Sequence, residues 1–146
     1  MNPYASYTKN QVANASREDI LLQLYHGAII RLRQARELWE EGEKSRAMER
    51  RGQALEIIAY LDETLDMDNG GELAEELDAL YAYMIREINT STRQMDFDRL
   101  QTVEESLETL LDSWKEAVQE YKQSKAAEKN GLDYNNDNQE RVAVGA

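Results

Sequence analysis

Leu61-Asp62-Glu63-Thr64-Leu65-Asp66-Met67-Asp68-Asn69-Gly70-Gly71-Glu72-Leu73-Ala74-Glu75-Glu76-Leu77, followed by Leu80-Tyr81-Ala82-Tyr83-Met84-Ile85, reads as the end of one helix, a turn and the start of another. Residues 66–71 include five that favour turns or caps, and glycine closes a helix in the left-handed conformation without a steric penalty. On either side the apolar residues recur at three and four. Leu55, Ile58, Leu61 and Leu65 precede the break, and Leu73, Leu77, Leu80, Met84 and Ile88 follow it. Two helices joined by so short a loop fold back antiparallel.

Working outward, Ser16 with Asp19 three residues on forms a capping-box pattern and starts an earlier helix. Its seam, Leu21, Tyr25, Ala28, Leu32, Ala35 and Trp39, runs to a stop at Gly42. After the polar break Asn89-Thr90-Ser91-Thr92, Asp96 or Asp98 is placed to cap a last helix. The seam there is Leu100, Val103, Leu107, Leu110, Trp114, Ala117 and Tyr121. The expectation is all-α: an antiparallel up-down-up-down four-helix bundle over 16–125, with helices near 16–41, 44–66, 72–92 and 97–125. Residues 1–15 show no helical period yet carry Tyr4, Tyr7 and Val12, and read either as a frayed end or as a segment packed on the body. Residues 126–146, rich in Asn, Asp, Gln and Gly, read as a disordered polar tail.

The whole chain, 146 residues, suits one domain that buries roughly 68–70% of the surface its unfolded chain exposes. With 17 Lys and Arg against 29 Asp and Glu, its net charge of −12 repels phosphate backbones and anionic lipid, so nucleic acid and membrane surfaces are poor partners. It has no Cys, hence neither a disulfide framework nor a thiolate metal site, and no apolar run of signal-peptide or membrane-spanning length. A cytoplasmic location is the expectation.

Nothing in the sequence looks catalytic, and no cofactor or metal residue is assigned. Carboxylate-bridged metal bundles need Glu-x-x-His pairs, but the one histidine, His26, follows Gln23, and no acid or nucleophile stands at a spacing that would orient it. Asp66, Asp68 and Gly71 match the opening of a calcium loop whose twelfth position, where a bidentate Glu is required, is Leu77. The acidic pairs Glu40-Glu41, Glu75-Glu76 and Glu104-Glu105 are adjacent in sequence and diverge on a helix, which makes them solvated surface. No Gly-rich phosphate loop is present.

What is left over is apolar surface. Ile20, Leu22, Leu24, Ile29 and Ile30 lie off the first seam, Ile57 and Tyr60 off the second, and Tyr81, Tyr83 and Ile85 off the third. Either the core is thick or these residues line a groove for an amphipathic partner helix.

Taken together, Tyr4-Ala5-Ser6-Tyr7 with Asn10 and Val12, Ala15-Ser16 with Glu18, Leu24-Tyr25-His26-Gly27-Ala28-Ile29, Ala54 with Ile57-Ile58, Leu65-Asp66 with Gly70-Gly71, Leu80-Tyr81-Ala82-Tyr83-Met84 and Trp114-Lys115-Glu116-Ala117 resemble the flagellar export chaperone family, FliS. The resemblance covers about Pro3 to Val118. Arg17 stands where the family commonly has Pro, His26 where it commonly has Asp, and Gln53 where it commonly has Lys.

The resemblance implies a non-enzymatic bundle that binds the disordered C-terminal segment of flagellin and blocks its premature assembly. It also implies delivery to the flagellar export gate and contact with other flagellar regulatory proteins. On this reading the client-binding groove is assigned to Leu24, Ile57, Tyr60, Tyr83 and Ile85. Tyr4 and Tyr7 would form a displaceable cap, because burying each contributes about 1.5–3 kcal/mol against about 1–2 kcal/mol per ordered leader residue. The competing reading is a structural bundle or adaptor that self-associates through the same faces and has no flagellin client.

Overall fold

The computed structural model describes residues 16–145, with side-chain surroundings over 16–130, and there the chain is helical apart from short connections. Four helices follow one another: α1 Arg17–Glu40, α2 Lys44–Glu63, α3 Gly71–Arg93 and α4 Arg99–Gly145. The four-helix bundle expected from the sequence is therefore present. The leader with Tyr4 and Tyr7 lies outside the described residues.

Local chemistry sets the boundaries. Ser16 caps α1, its Oγ accepting the Asp19 amide at 3.2 Å, as the capping pattern requires. At the other end the Gly42 amide donates to the Trp39 carbonyl at 3.1 Å and the Glu43 amide to the Leu38 carbonyl at 2.9 Å, a Schellman closure with Gly42 at a φ of 82°. α2 stops at Glu63, earlier than the expected boundary near 66, and Thr64 Oγ1 donates back to the Leu61 carbonyl at 3.0 Å. The Asp66 carboxylate then accepts both the backbone amide and the Nδ2 of Asn69, each at 3.1 Å, which holds it below its usual pKa. A Cβ at Gly70 would lie 2.5 Å from the Asp66 carbonyl oxygen, so the turn into α3 needs glycine there.

α4 runs to Gly145, through the stretch 126–145 that the sequence reads as a disordered tail. Lys125-Ala126-Ala127-Glu128-Lys129 is a run of helix formers, and the first glycine comes only at Gly131.

The chain divides into two compact units between Leu111 and Asp112. The first holds α1, α2, α3 and the opening turns of α4; the second is the rest of α4. In the first, α1 and α2 form the closest-packed pair. Ala28 and Ala35 on α1 and Ala47 and Ala54 on α2 are all fully buried and recur at seven, letting the backbones approach. Tyr25 on α1 and Tyr81 on α3 meet across the core with ring centroids 6.4 Å apart and their hydroxyls hydrogen-bonded. Trp39 stacks on Phe97 at 4.1 Å.

Glu104, expected with Glu105 to be solvated surface, is instead buried, because Arg33 and Arg36 on α1 clamp its carboxylate at 3.0 and 2.6 Å; Arg33 also reaches Glu108 at 2.9 Å. Arg99 links α4 to Glu87 on α3 at 3.3 Å.

Several core assignments change, among them Ile29, counted as surplus and buried in the core. Tyr81, counted as surplus, is core; Leu73, counted as core, is 56% exposed. On α4 the buried positions after Leu107 are Leu111 and Val118, while Ala117 and Tyr121 are exposed. A straight helix drifts about 20° per heptad, so a strict three-four count loses phase along a long helix.

Candidate functional site

The five residues expected to form one groove fall on different seams. Leu24 and Ile57 are half-buried at the junction of α1 and α2, where a Cβ at Gly27 would lie 3.7 Å from Ile57 Cδ1. Tyr60, three residues along α2, is 53% exposed beside them. Tyr83 and Ile85 flank the buried Met84 on opposite sides of α3, about 100° from it in each direction. Tyr83, 37% exposed, shares its flank with Leu73 and Leu80, on the side where Glu87 meets Arg99 of α4. Ile85 is half-buried on the flank that carries Asp78 and faces α2. Apolar surface is thus distributed around the bundle.

The α2–α3 seam also holds polar groups that the sequence reading passed over. The Asp62 carboxyl on α2 stands within hydrogen-bonding reach of the Asp78 carboxyl on α3. Burial, then Asp78, then Glu63 push Asp62 up from 3.8 to about 6. Asp62 Oδ1 is buried and has no hydrogen-bond partner. The Tyr81 phenol beside it is pushed up by burial and by its contacts with Tyr25 and Asp62. Three turns back along α2, Arg51 Nε and Nη1 are buried without a partner, and burial lowers that guanidinium's pKa. Thr92 Oγ1 on α3 is buried and unpartnered as well. The legible signal was spacing: Met48, Leu55 and Asp62 recur at seven on α2, as do Asp78, Ile85 and Thr92 on α3.

His26 is exposed on the outer side of α1. Among the described residues no cluster of His, Cys, Asp or Glu fits a metal ion, and no helix is long and apolar enough to cross a membrane. What the surface carries is half-exposed apolar side chains on three seams.

Comparison with known proteins gives these seams a context. The model of the family described as flagellar protein FliS matches residues 1–121. The flagellar secretion chaperone FliS of Vibrio cholerae is 34% identical over 119 residues, covering 82% of this chain and 88% of that one. The flagellar secretion chaperone FliS of Bacillus subtilis is 32% identical over 118 residues, covering 81% and 87%. The flagellar secretion chaperone FliSB of Pseudomonas aeruginosa is 35% identical over 104 residues, covering 71% and 82%.

Proposed function

Because the chain belongs to the flagellar protein FliS family, the family of flagellar secretion chaperones, we propose that its client is flagellin, bound through the disordered C-terminal segment. The bound segment folds as helices against the bundle seams, and the complex is the form presented to the flagellar export gate from the cytoplasm. The observation that carries this reading is the spread of half-exposed apolar side chains, Leu24, Ile57 and Tyr60 on one seam, Ile85 on a second and Tyr83 on a third. A disordered segment that folds on binding typically buries about 1,000–3,000 Å² and spends about 2–5 kcal/mol or more on ordering, so it needs a long track of apolar surface. Three seams on one small bundle supply such a track.

The chemistry asked of the chaperone is steric. Covering the apolar face of the client removes the surface that drives its self-assembly, with no covalent step and no cofactor. The test is flagellin polymerisation from seeds, followed by light scattering with the full chain added. Arrest at one chaperone per flagellin is expected. Undiminished polymerisation, with the chaperone alone scattering as a stable dimer, would transfer the apolar faces to self-association.

A further inference from the structure

The sequence holds two Asn-Gly dipeptides, Asn69-Gly70 in the α2–α3 turn and Asn130-Gly131 on α4. Asparagine before glycine is especially prone to spontaneous loss of its side-chain amide, because glycine puts no side chain in the way of its own backbone nitrogen. The reaction needs only water. At the first site the Gly70 nitrogen attacks Asn69 Cγ, an N–C bond forms as the Cγ–Nδ2 bond breaks, and the Gly70 amide proton leaves with the ammonia released. Water then opens the cyclic imide at either carbonyl, leaving aspartate or isoaspartate.

The start of α3 obliges the chain to keep the glycine of this dipeptide. A Cβ at Gly70 would lie 2.5 Å from the Asp66 carbonyl oxygen and 2.6 Å from Ala74 Cβ, so a larger residue does not fit. Asn69 and Gly70 are both exposed, so burial does not shield them from water. Protection has to come from hydrogen bonds.

Three of them converge on Asp66. Its carboxylate accepts the Asn69 backbone amide at Oδ1 and the Asn69 Nδ2 at Oδ2, each at 3.1 Å, and its backbone carbonyl accepts the Gly70 amide at 2.7 Å. Ring closure requires the Asn69 carboxamide carbon to swing onto the Gly70 nitrogen, and that nitrogen to surrender its proton. The first motion breaks a hydrogen bond to a charged acceptor, the stronger kind. The second is opposed because the Gly70 proton points at a carbonyl, which is no base. The bonds from Asn69 also hold the Asp66 carboxyl below its usual pKa, so the acceptor stays ionised through the neutral range.

We propose that Asn69 is a latent deamidation site, kept closed by Asp66 while the turn is intact and converted to aspartate or isoaspartate when that bracket is released. The product cannot rebuild the same turn. A carboxylate at position 69 lacks the Nδ2 donor and faces the Asp66 carboxylate with Asp68 alongside. Isoaspartate lengthens the backbone by a methylene just before the close approach of Gly70 to Asp66. Opening of the turn is thereby recorded covalently at the junction of α2 and α3.

The test is incubation of the full chain at pH 7.5, folded and in guanidinium, followed by peptide mapping by mass spectrometry and enzymatic methyl labelling of isoaspartate. Asn69 is expected to convert about tenfold more slowly in the folded chain than in the unfolded one. Asp66→Ala, which removes the carboxylate, should raise the folded-state rate about tenfold. Asp66→Asn, which keeps an acceptor oxygen, should retain most of the protection. Cooperative thermal unfolding checks that both variants fold, and Asn130 on α4 is the internal control, its rate the same in all three chains. An Asp66→Ala chain that folds yet converts at the parent rate overturns the inference, as does a folded parent that converts as fast as the unfolded one. Aspartate at position 69 without isoaspartate overturns the route through Gly70, since direct hydrolysis gives aspartate alone.

Discussion

Met95 sits in left-handed backbone at a φ of 52°, with its side chain 61% exposed. It occupies the closing position of α3 that Gly42 fills in α1: its amide donates to the Thr92 carbonyl at 3.2 Å, and the Asp96 amide donates to the Ser91 carbonyl at 2.9 Å. A side chain there costs about 1 kcal/mol that glycine avoids. Met95→Gly should accordingly raise thermal stability by about 1 kcal/mol, and Gly42→Ala should lower it by about as much. Urea unfolding measures both; a Met95→Gly variant that loses stability would show that the thioether makes a contact worth more than the strain.

Asp62 offers a second test at this scale. Its pKa in the folded chain, about 6, lies above the ordinary 3.8, so the folded state binds more protons than the unfolded one between those values. Stability therefore falls as pH rises through that window, and the penalty is complete above it. Asp62→Asn should stabilise the chain at pH 7.5 by about 1 kcal/mol, below the full linkage value because solvent screens the pair. The gain should vanish near pH 4. A gain independent of pH would assign the effect to packing.

At the scale of elements, the Arg33–Glu104–Arg36 clamp fastens the start of α4 to α1, and its members are not equivalent. Glu104 is buried while both arginines keep access to solvent. Replacing both arginines by Ala leaves a buried carboxylate unpaired and should cost about 3–5 kcal/mol. Glu104→Gln frees two arginines that can turn outward and should cost only about 1–2 kcal/mol. Chemical denaturation of the two variants gives the order; the reverse order would mean that the arginines are held by other partners.

The same scale shows what the sequence made legible. The ends of α1 were readable because Ser16 and Gly42 act through atoms a few residues away. The tight approach of α1 and α2 was not, because Ala47 and Ala54 carry little hydrophobic signal and become core only when a facing helix is close. Tyr81 and Leu73 exchanged roles for a related reason. The buried stripe of α3 runs through Ala74, Leu77, Tyr81, Met84 and Ile88, one small phase step from the run of leucines that suggested it. The groove residues were readable as surplus but not as a set, since Tyr83 and Ile85 are neighbours in sequence and lie on opposite flanks of the helix. The Asp62–Asp78 pair depends on the register between helices, which the seven-residue spacing along each helix does not fix.

At the scale of the whole molecule, the net charge of −12 makes copies of the free chain repel one another. Ile57 tests whether the α1–α2 seam takes part. Ile57→Glu puts a charge on a half-buried rim position, so unfolding should stay cooperative while affinity for a flagellin C-terminal peptide falls at least tenfold. Loss of the folded state would place Ile57 in the core; full affinity would take this seam out of the client's path.

The most direct test of the central claim is calorimetric titration of the full chain with a flagellin C-terminal peptide at several temperatures, with circular dichroism of the mixture. The account predicts one-to-one binding, a large negative heat-capacity change and a gain of helix beyond the sum of the two components, the signature of a disordered client folding on apolar seams. No heat and no gain of helix at any temperature would contradict it.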